Sequence, residues 1–188
     1  TTASSNTAVG YQAGYSLTTA SANLMVGYQA GRNTDGANVT AVGYNALYTN
    51  TSGNQNTALG FQPLFSNTTG AYNTAIGGSA LQSNTTASSN TAVGYDALRS
   101  NTTASGNVAI GTNAGKASTT AINGVFVGSS AGTTVTTGND NTCIGYLTGY
   151  AGNGANKLTT GHGNILLGSS CNVAATNNYF SIVIAANG

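Results

Sequence analysis

The sequence predicts an all-β protein, a parallel β-solenoid in which short strands of successive coils lie on one another. One pentapeptide, Asn-Thr-Ala-Val-Gly, returns along the whole chain, for example at 6–10 and 90–94, and close variants occupy 56–60 and 73–77. A sequence that repeats at a fixed period indicates a repeat architecture. The composition also excludes long helices, because 27 of the 188 residues are glycine and only 4% are charged.

The glycine of the motif sets the length of one coil. It recurs mostly at intervals of 17 residues, with one interval of 16 and one of 23. The positions are Gly10, Gly27, Gly43, Gly60, Gly77, Gly94, Gly111, Gly128, Gly145 and Gly168, with Ala185 in the eleventh place. Such a short coil cannot bury its own apolar residues, so neighbouring coils must share an interior. We therefore predict one domain, 1–188, of about eleven coils.

An aliphatic residue precedes the glycine in every coil, and we expect this column to be the buried core. Its members are Val9, Val26, Val42, Leu59, Ile76, Val93, Ile110, Val127, Ile144, Leu167 and Ile184. Most are β-branched, which suits a strand. Alternation along the strand places Thr91 and Val93 on one face and Ala92 and Gly94 on the other. We expect the small face either to receive a sister chain or, at the glycine, to form a corner of the coil.

Two further columns complete the middle coils. Leu47, Leu64, Leu81 and Leu98, four residues past the glycine, are expected in the core. The asparagine that opens each motif is expected to form amide ladders between coils. Asn-Thr-Thr/Ser segments then begin at Asn50, Asn67, Asn84 and Asn101. These segments favour turns, and they also match the acceptor pattern for N-glycosylation; we prefer the turn, because Asn and Thr are abundant everywhere in this chain.

Two regions depart from the repeat. The coil after Gly145 carries six extra residues within 149–163, including Tyr150, Lys157 and His162. We expect either a protruding loop that contacts a ligand or a tolerated insertion. The last coil, 178–188, is far more apolar than the others, and we expect it to pack against a following domain or against sister chains.

The charged residues are too scattered to suggest catalysis. Asp35, Asp96 and Asp140 belong to separate coils, and His162 is the only imidazole that could serve a nucleophilic serine. Segment 111–117 superficially resembles a phosphate-binding loop, but it has three residues between its glycines and alanine after lysine. We predict neither an enzyme nor a cofactor.

Metal, nucleic-acid and membrane partners are also not expected. Cys143 and Cys171 lack metal-ligand spacing, so we interpret them as small buried residues that do not need a disulfide. A formal net charge of +1 provides no basic stripe for phosphates. No apolar run approaches the roughly 20 residues that span a bilayer, and the start of the chain does not read as a signal peptide.

The extended motif Asn-Thr-Ala-(Val/Ile/Leu)-Gly-Tyr-x-Ala, as at 6–13 and 90–97, resembles the head repeats of trimeric autotransporter adhesins and the repeats of phage tail-fibre-like proteins. The likeness covers nearly the whole chain. It implies a left-handed β-roll, a homotrimer and exposure on a cell surface or virion. The coil is longer than the usual adhesin-head coil, and the chain contains no coiled-coil stalk, membrane barrel or chaperone domain.

We therefore expect a non-enzymatic extracellular or virion fibre segment. It would act as an adhesin or receptor-binding spacer, with a host-cell receptor, a matrix receptor or a surface glycan as partner. One alternative is a solenoid that binds ice or another flat surface, although the threonine column of the motif is only one residue wide. Another is a self-assembling filament or surface-layer subunit whose open ends stack.

Overall fold

A computed structural model describes residues 2–150, 157–175 and 177–185. It confirms the all-β parallel solenoid, and these residues contain no helix. Eleven three-residue strands form one sheet in chain order. They are β1 Thr7–Val9, β2 Leu24–Val26, β3 Thr40–Val42, β4 Thr57–Leu59, β5 Thr74–Ile76, β6 Thr91–Val93, β7 Val108–Ile110, β8 Val125–Val127, β9 Thr142–Ile144, β10 Ile165–Leu167 and β11 Ile182–Ile184.

Each strand pairs in parallel with the strands before and after it, and equivalent residues stand opposite one another. Thr57 pairs with Thr74, and Thr74 pairs with Thr91. The longer segment between β9 and β10 does not change the register, since Ile144 still faces Leu167. Equivalent positions of the repeat therefore form straight columns along the solenoid.

The interior lies on the alanine side of the strands, which corrects our prediction of the core. From β2 to β10 the middle residue of every strand is fully buried. These residues are Met25, Ala41, Ala58, Ala75, Ala92, Ala109, Phe126, Cys143 and Leu166. The aliphatic column before the glycine is stacked as predicted, but it points outward: Leu59 is 44% exposed and Val93 is half-buried. The expectation that sister chains pack on the alanine face is wrong for the same reason.

The narrow coil explains which face is inside. Across the interior from Ala75 and Ala92 lie Leu81 and Leu98, both fully buried as predicted. One leucine per coil fills the space, so the facing strand has room only for alanine. In two coils with a larger strand residue the leucine is replaced by glycine: the side chain of Met25 occupies the volume beside Gly31, and that of Phe126 occupies the volume beside Gly132.

The motif glycine forms a corner at which the backbones of adjacent coils meet. Gly77 has φ +128°, and a Cβ atom there would lie 2.5 Å from the carbonyl oxygen of Gly94. No larger residue fits this approach. Of the two roles considered for the glycine, the structure supports the corner.

Buried asparagines hold the coils together in two ladders. In the first, the backbone N–H of Asn90 donates to Oδ1 of Asn73 (3.0 Å), which is the ladder expected at the motif asparagine. The second was not anticipated: Nδ2 of Asn84 donates to Oδ1 of Asn67 (2.7 Å) and to the carbonyl oxygen of Ala87 (3.0 Å). Each ladder pairs polar groups that would otherwise be buried without partners.

Candidate functional site

The outer side of the sheet, here called the sheet face, presents two columns of side chains. They are the first and third residues of each strand, because alternate residues point the same way. One column contains Thr7, Leu24, Thr40, Thr57, Thr74, Thr91, Val108, Val125, Thr142, Ile165 and Ile182; the other is the aliphatic column that precedes the glycine. None of these residues is charged, and all are exposed or half-buried. The face is therefore a long, straight and largely apolar strip.

An aromatic ladder runs beside the sheet face, at the position directly after the glycine. Its rings are Tyr11, Tyr28, Tyr44 and Phe61. Successive ring centroids lie 5.2, 5.1 and 5.3 Å apart, and the planes are within 18° of parallel. All four side chains are exposed. The motif contains this tyrosine, but we did not predict the ladder; the repeat of Gly-Tyr at one register was the signal available.

A second group of planar side chains lies four positions further along the same turns. Tyr48 and Phe65 stack at 5.1 Å, and the Arg32 guanidinium lies 5.4 Å from the ring centre of Tyr15 and 5.7 Å from that of Tyr48. These contacts are cation–π interactions. Tyrosine and arginine are enriched among the residues that contribute most of the binding energy at protein interfaces.

Three of the chain's seven charged side chains meet on the next turns of this surface. The Asp96 carboxylate is buried, with Lys116 Nζ at 2.6 Å and Arg99 Nε at 3.6 Å. Both cations remain partly exposed. The three aspartates were predicted to lie apart, and Asp96 lies with these two cations instead of with another carboxylate.

Asp35 closes a different turn as a hydrogen-bond acceptor. It accepts the hydroxyl groups of Thr18 and Thr19 at 2.7 and 2.9 Å and the backbone N–H groups of Thr18, Thr19 and Ala20 at 2.9 to 3.1 Å. The Thr18 hydroxyl and then the Thr19 N–H hold the pKa of Asp35 well below its usual range. This contact ties the second coil to the first, so its role is structural.

The three residues of the candidate loop do not form one site. Lys157 Nζ lies 5.9 Å from the ring centre of Tyr150, while 151–156 lie outside the described residues. His162 instead belongs to the next coil, where its Nδ1 accepts the N–H of Asn139 at 2.9 Å and its ring stacks on Tyr179 at 5.4 Å. His162 therefore takes part in the stacking of successive coils.

The four asparagines considered as glycosylation acceptors are fully buried. Asn50, Asn67, Asn84 and Asn101 all donate Nδ2 to carbonyl oxygens three residues later, and three of them also donate to the preceding asparagine. A glycan on Nδ2 would replace these bonds inside the coil. The folded chain therefore offers no acceptor at these positions, which counts against the glycosylation alternative and favours the structural role preferred from the sequence.

No group of three or more His, Cys, Asp and Glu side chains within the described residues could hold a metal ion, and these residues enclose no pocket. Cys143 and Cys171 are buried free thiols, and burial, followed by the nearby Cys171, raises the pKa of Cys143 to about 12. No described helix could span a bilayer.

Comparison with known proteins leaves the family open. No protein-family model matches the chain, and neither a curated protein nor a solved structure shows significant similarity to it. The features of this chain that can indicate a function are therefore the sheet face, the aromatic ladder and the adjacent polar side chains.

Proposed function

We propose that this chain is a non-enzymatic segment of an extracellular or virion fibre. Three copies would lie side by side as left-handed β-rolls with 17-residue coils, and the assembly would present receptor-binding surfaces away from the cell or particle. The observation that supports this most directly is the sheet face, an uncharged and largely apolar strip along all eleven strands.

The size of the strip favours an interface. Ten intervals of about 4.8 Å and a strand width of about 10 Å correspond to roughly 500 Å² of flat surface. The largest apolar patch on a typical monomer covers about 300–600 Å² and often has a function, so this strip is the surface to consider for an interface. Burial of this strip between chains would also account for the aliphatic residues before the glycine, which the single chain leaves outside its core.

The occupant that fits this face is another copy of the same chain. Its side chains repeat at the strand spacing over the entire length, and a partner must match that period to remain in contact. An identical parallel chain has the same period, and closed symmetric assemblies are the usual result of such self-association. The three-fold arrangement follows from the resemblance of the repeats to trimeric fibre proteins.

A trimer leaves three copies of every other surface available to a receptor. Weak contacts at each copy add through effective concentration, because binding of one copy holds the others near their targets. A rigid, almost uncharged rod suits this role, since it separates binding sites without requiring a pocket or a reactive group.

Sedimentation equilibrium of the purified chain tests the assembly. The expected species has three times the chain mass of 18.5 kDa. Ile76→Asp places a charge on the sheet face and should give a folded monomer, whereas the matched control Thr69→Asp, on an exposed turn outside the sheet, should remain trimeric. A wild-type chain that stays monomeric at micromolar concentration would contradict the proposal.

Binding to ice or another flat crystalline surface is the second candidate. The regular outward spacing of the threonine and aliphatic columns favours it, because both columns lie on one uncharged face. The threonine column alone is still one residue wide, which keeps this candidate behind the fibre. Thermal hysteresis from a monomeric wild-type chain, absent in Ile76→Asp, would support it over the trimer.

A further inference from the structure

The position directly after the motif glycine lacks a ring in several coils, and one of these positions, Gly78, lies between two coils that carry one. Tyr11, Tyr28, Tyr44 and Phe61 occupy four successive coils, and the next coil has Gly78 at the same position. Tyr95 follows one coil later. Phe61 is 55% exposed and Tyr95 is 60% exposed, and the two rings make no stacking contact with each other.

The backbone does not require glycine at position 78. A Cβ atom there would approach only the Tyr95 ring, whose Cδ2 would lie at 3.1 Å and Cε2 at 3.4 Å. This differs from the preceding Gly77, where the carbonyl oxygen of Gly94 occupies the space. Tyr95 is a surface side chain that can rotate, so a larger residue at 78 would be accommodated. The gap is therefore a property of the surface and is not needed for the fold.

With the Tyr95 ring turned away from Gly78, the space between Phe61 and Tyr95 fits one ring. Phe61 and Tyr95 are two coils apart, or about 10 Å at the usual strand spacing. A guest ring midway between them would lie about 5 Å from each, within the range in which rings stack. The backbone fixes this width, because Ser79 N–H donates to the Phe61 carbonyl oxygen (2.8 Å) and Asp96 N–H donates to that of Gly78 (2.9 Å).

Polar side chains from the same turns accompany the gap. Gln82 Nε2 donates to Gln62 Oε1 at 3.1 Å, and Arg99 Nε donates to Gln82 Oε1 at 3.1 Å. The remaining guanidinium N–H groups of Arg99 have no protein partner in the described part of the chain. Amide and guanidinium groups beside an aromatic face suit a guest with an apolar ring face and hydroxyl groups at its edge.

We propose that Phe61, Gly78 and Tyr95 form a site for one pyranose ring of a surface glycan, with Gln62, Gln82 and Arg99 binding its hydroxyl or carboxylate groups. The inference rests on the receptor-binding role proposed above and specifies its ligand class. On binding, the Tyr95 ring rotates away from Gly78 and stacks on the sugar face opposite Phe61. Three such sites in a trimer would bind a multivalent glycan more tightly than one site.

Fluorine NMR of protein labelled with fluorophenylalanine tests the site, since the chain has four phenylalanines and Phe61→Ala identifies the relevant signal. The probes are the methyl glycosides of galactose and N-acetylglucosamine, with glucuronic acid as the acidic arm. At least one should shift the Phe61 signal saturably, and an exclusive response to glucuronic acid would assign the Arg99 contact to a carboxylate.

Two variants and a control complete the test. Gly78→Tyr should fill the gap and abolish binding, and Phe61→Ala, measured by saturation-transfer NMR on the sugar, should weaken it about tenfold. Ser129→Tyr adds an aromatic ring at the equivalent position three coils away and should bind like wild type.

No response to any sugar, or unchanged binding by Gly78→Tyr, would overturn the site. Sedimentation of the same samples keeps the outcomes separate: a trimer without sugar binding removes only this inference, and a monomer that binds sugar removes only the trimer.

Discussion

The ring of Phe126 occupies the volume in which a side chain at Gly115 would lie. A Cβ atom on Gly115 would be 2.7 Å from Cδ2 of Phe126 and 3.0 Å from Cδ2 of Leu98. The same ring would lie 2.6 Å from a Cβ atom at Gly124. One large side chain is thus accompanied by glycines in the coils around it, which keeps the interior volume nearly constant along the solenoid.

Substitutions at Gly115 and Phe126 should have coupled effects on the free energy of unfolding, because the two positions share one volume. Phe126→Ala should lower the free energy of unfolding by about 3–5 kcal/mol, because it leaves a cavity. Gly115→Leu alone should also be destabilising, since it overlaps the ring. Combined with Phe126→Ala, which removes the overlap, it gives the coil of Ala109 the alanine and leucine arrangement seen at Ala92 and Leu98, and it should recover about 1–3 kcal/mol. Urea denaturation of the four proteins measures the coupling; additive losses would contradict it.

Ala92 points into the coil and Val93 points outward, so substitutions at these neighbouring residues should affect different properties. Ala92→Leu overfills the coil and should destabilise a single chain by about 1–3 kcal/mol or more. Val93→Asp changes a half-buried outward side chain, so the chain should fold but lose self-association. Chemical denaturation and sedimentation of both variants test this. A stable Ala92→Leu chain with a misfolded Val93→Asp chain would reverse the orientation of the strand.

The buried amide ladder should not accept a charge. Asn84→Asp replaces the Nδ2 donor, which bonds Asn67 and Ala87, by a carboxylate in the fully buried interior. We expect a loss of several kcal/mol in the free energy of unfolding, because the charge is desolvated and two acceptors lose their donor. The exposed Thr86→Asp, two residues away, is the control and should change stability by less than about 0.5 kcal/mol. Equal effects of the two substitutions in urea denaturation would exclude the ladder as a stabilising element.

The local stability of the turn at Thr18 and Thr19 should depend on pH, because the Asp35 carboxylate accepts the hydrogen bonds of that turn. Its folded pKa is lowered, so its carboxylate binds fewer protons in the folded than in the unfolded chain. The stabilisation is present above the unfolded value of about 3.9 and is lost as the pH falls through the folded value. Hydrogen exchange at Thr18 and Thr19, corrected for intrinsic rates, should therefore show less protection at pH 2 than at pH 6. Asp35→Asn should show low protection at both, and equal pH dependence in the two proteins would contradict the assignment.

Periodicity in the sequence predicted the parallel solenoid and the stacking of equivalent residues, but it placed the wrong face inside. Alternation shows that Thr91 and Val93 share a face and that Ala92 takes the other; it does not identify the inner one. We judged the face by residue size, although the interior is narrow and already contains Leu98. Met25 and Phe126 held the missing information, since in both coils the residue four positions past the motif glycine is itself glycine, Gly31 and Gly132.

The candidate sites were less predictable for a different reason. Stacking of Tyr28 on Tyr44 depends only on the register and was therefore within reach of the sequence. The environment of Asp96 depends on Lys116, which is 20 residues away and adjacent only because the two coils are neighbours. The same offset of 20 residues joins Gln12 to Arg32 and Gln62 to Gln82. The residue types at these two positions change from coil to coil, so the coordinates were needed to show that the positions meet.

The straight columns have a consequence for how this molecule changes over generations. Each coil from β3 to β7 contacts the coil before it and the coil after it through equivalent residues. If one complete coil is removed, the two coils that become neighbours therefore already match. Gain or loss of one coil would then lengthen or shorten the rod in steps of about 4.8 Å without a new junction. Selection can therefore adjust the length of the rod through the number of coils, independently of the residues that make contact.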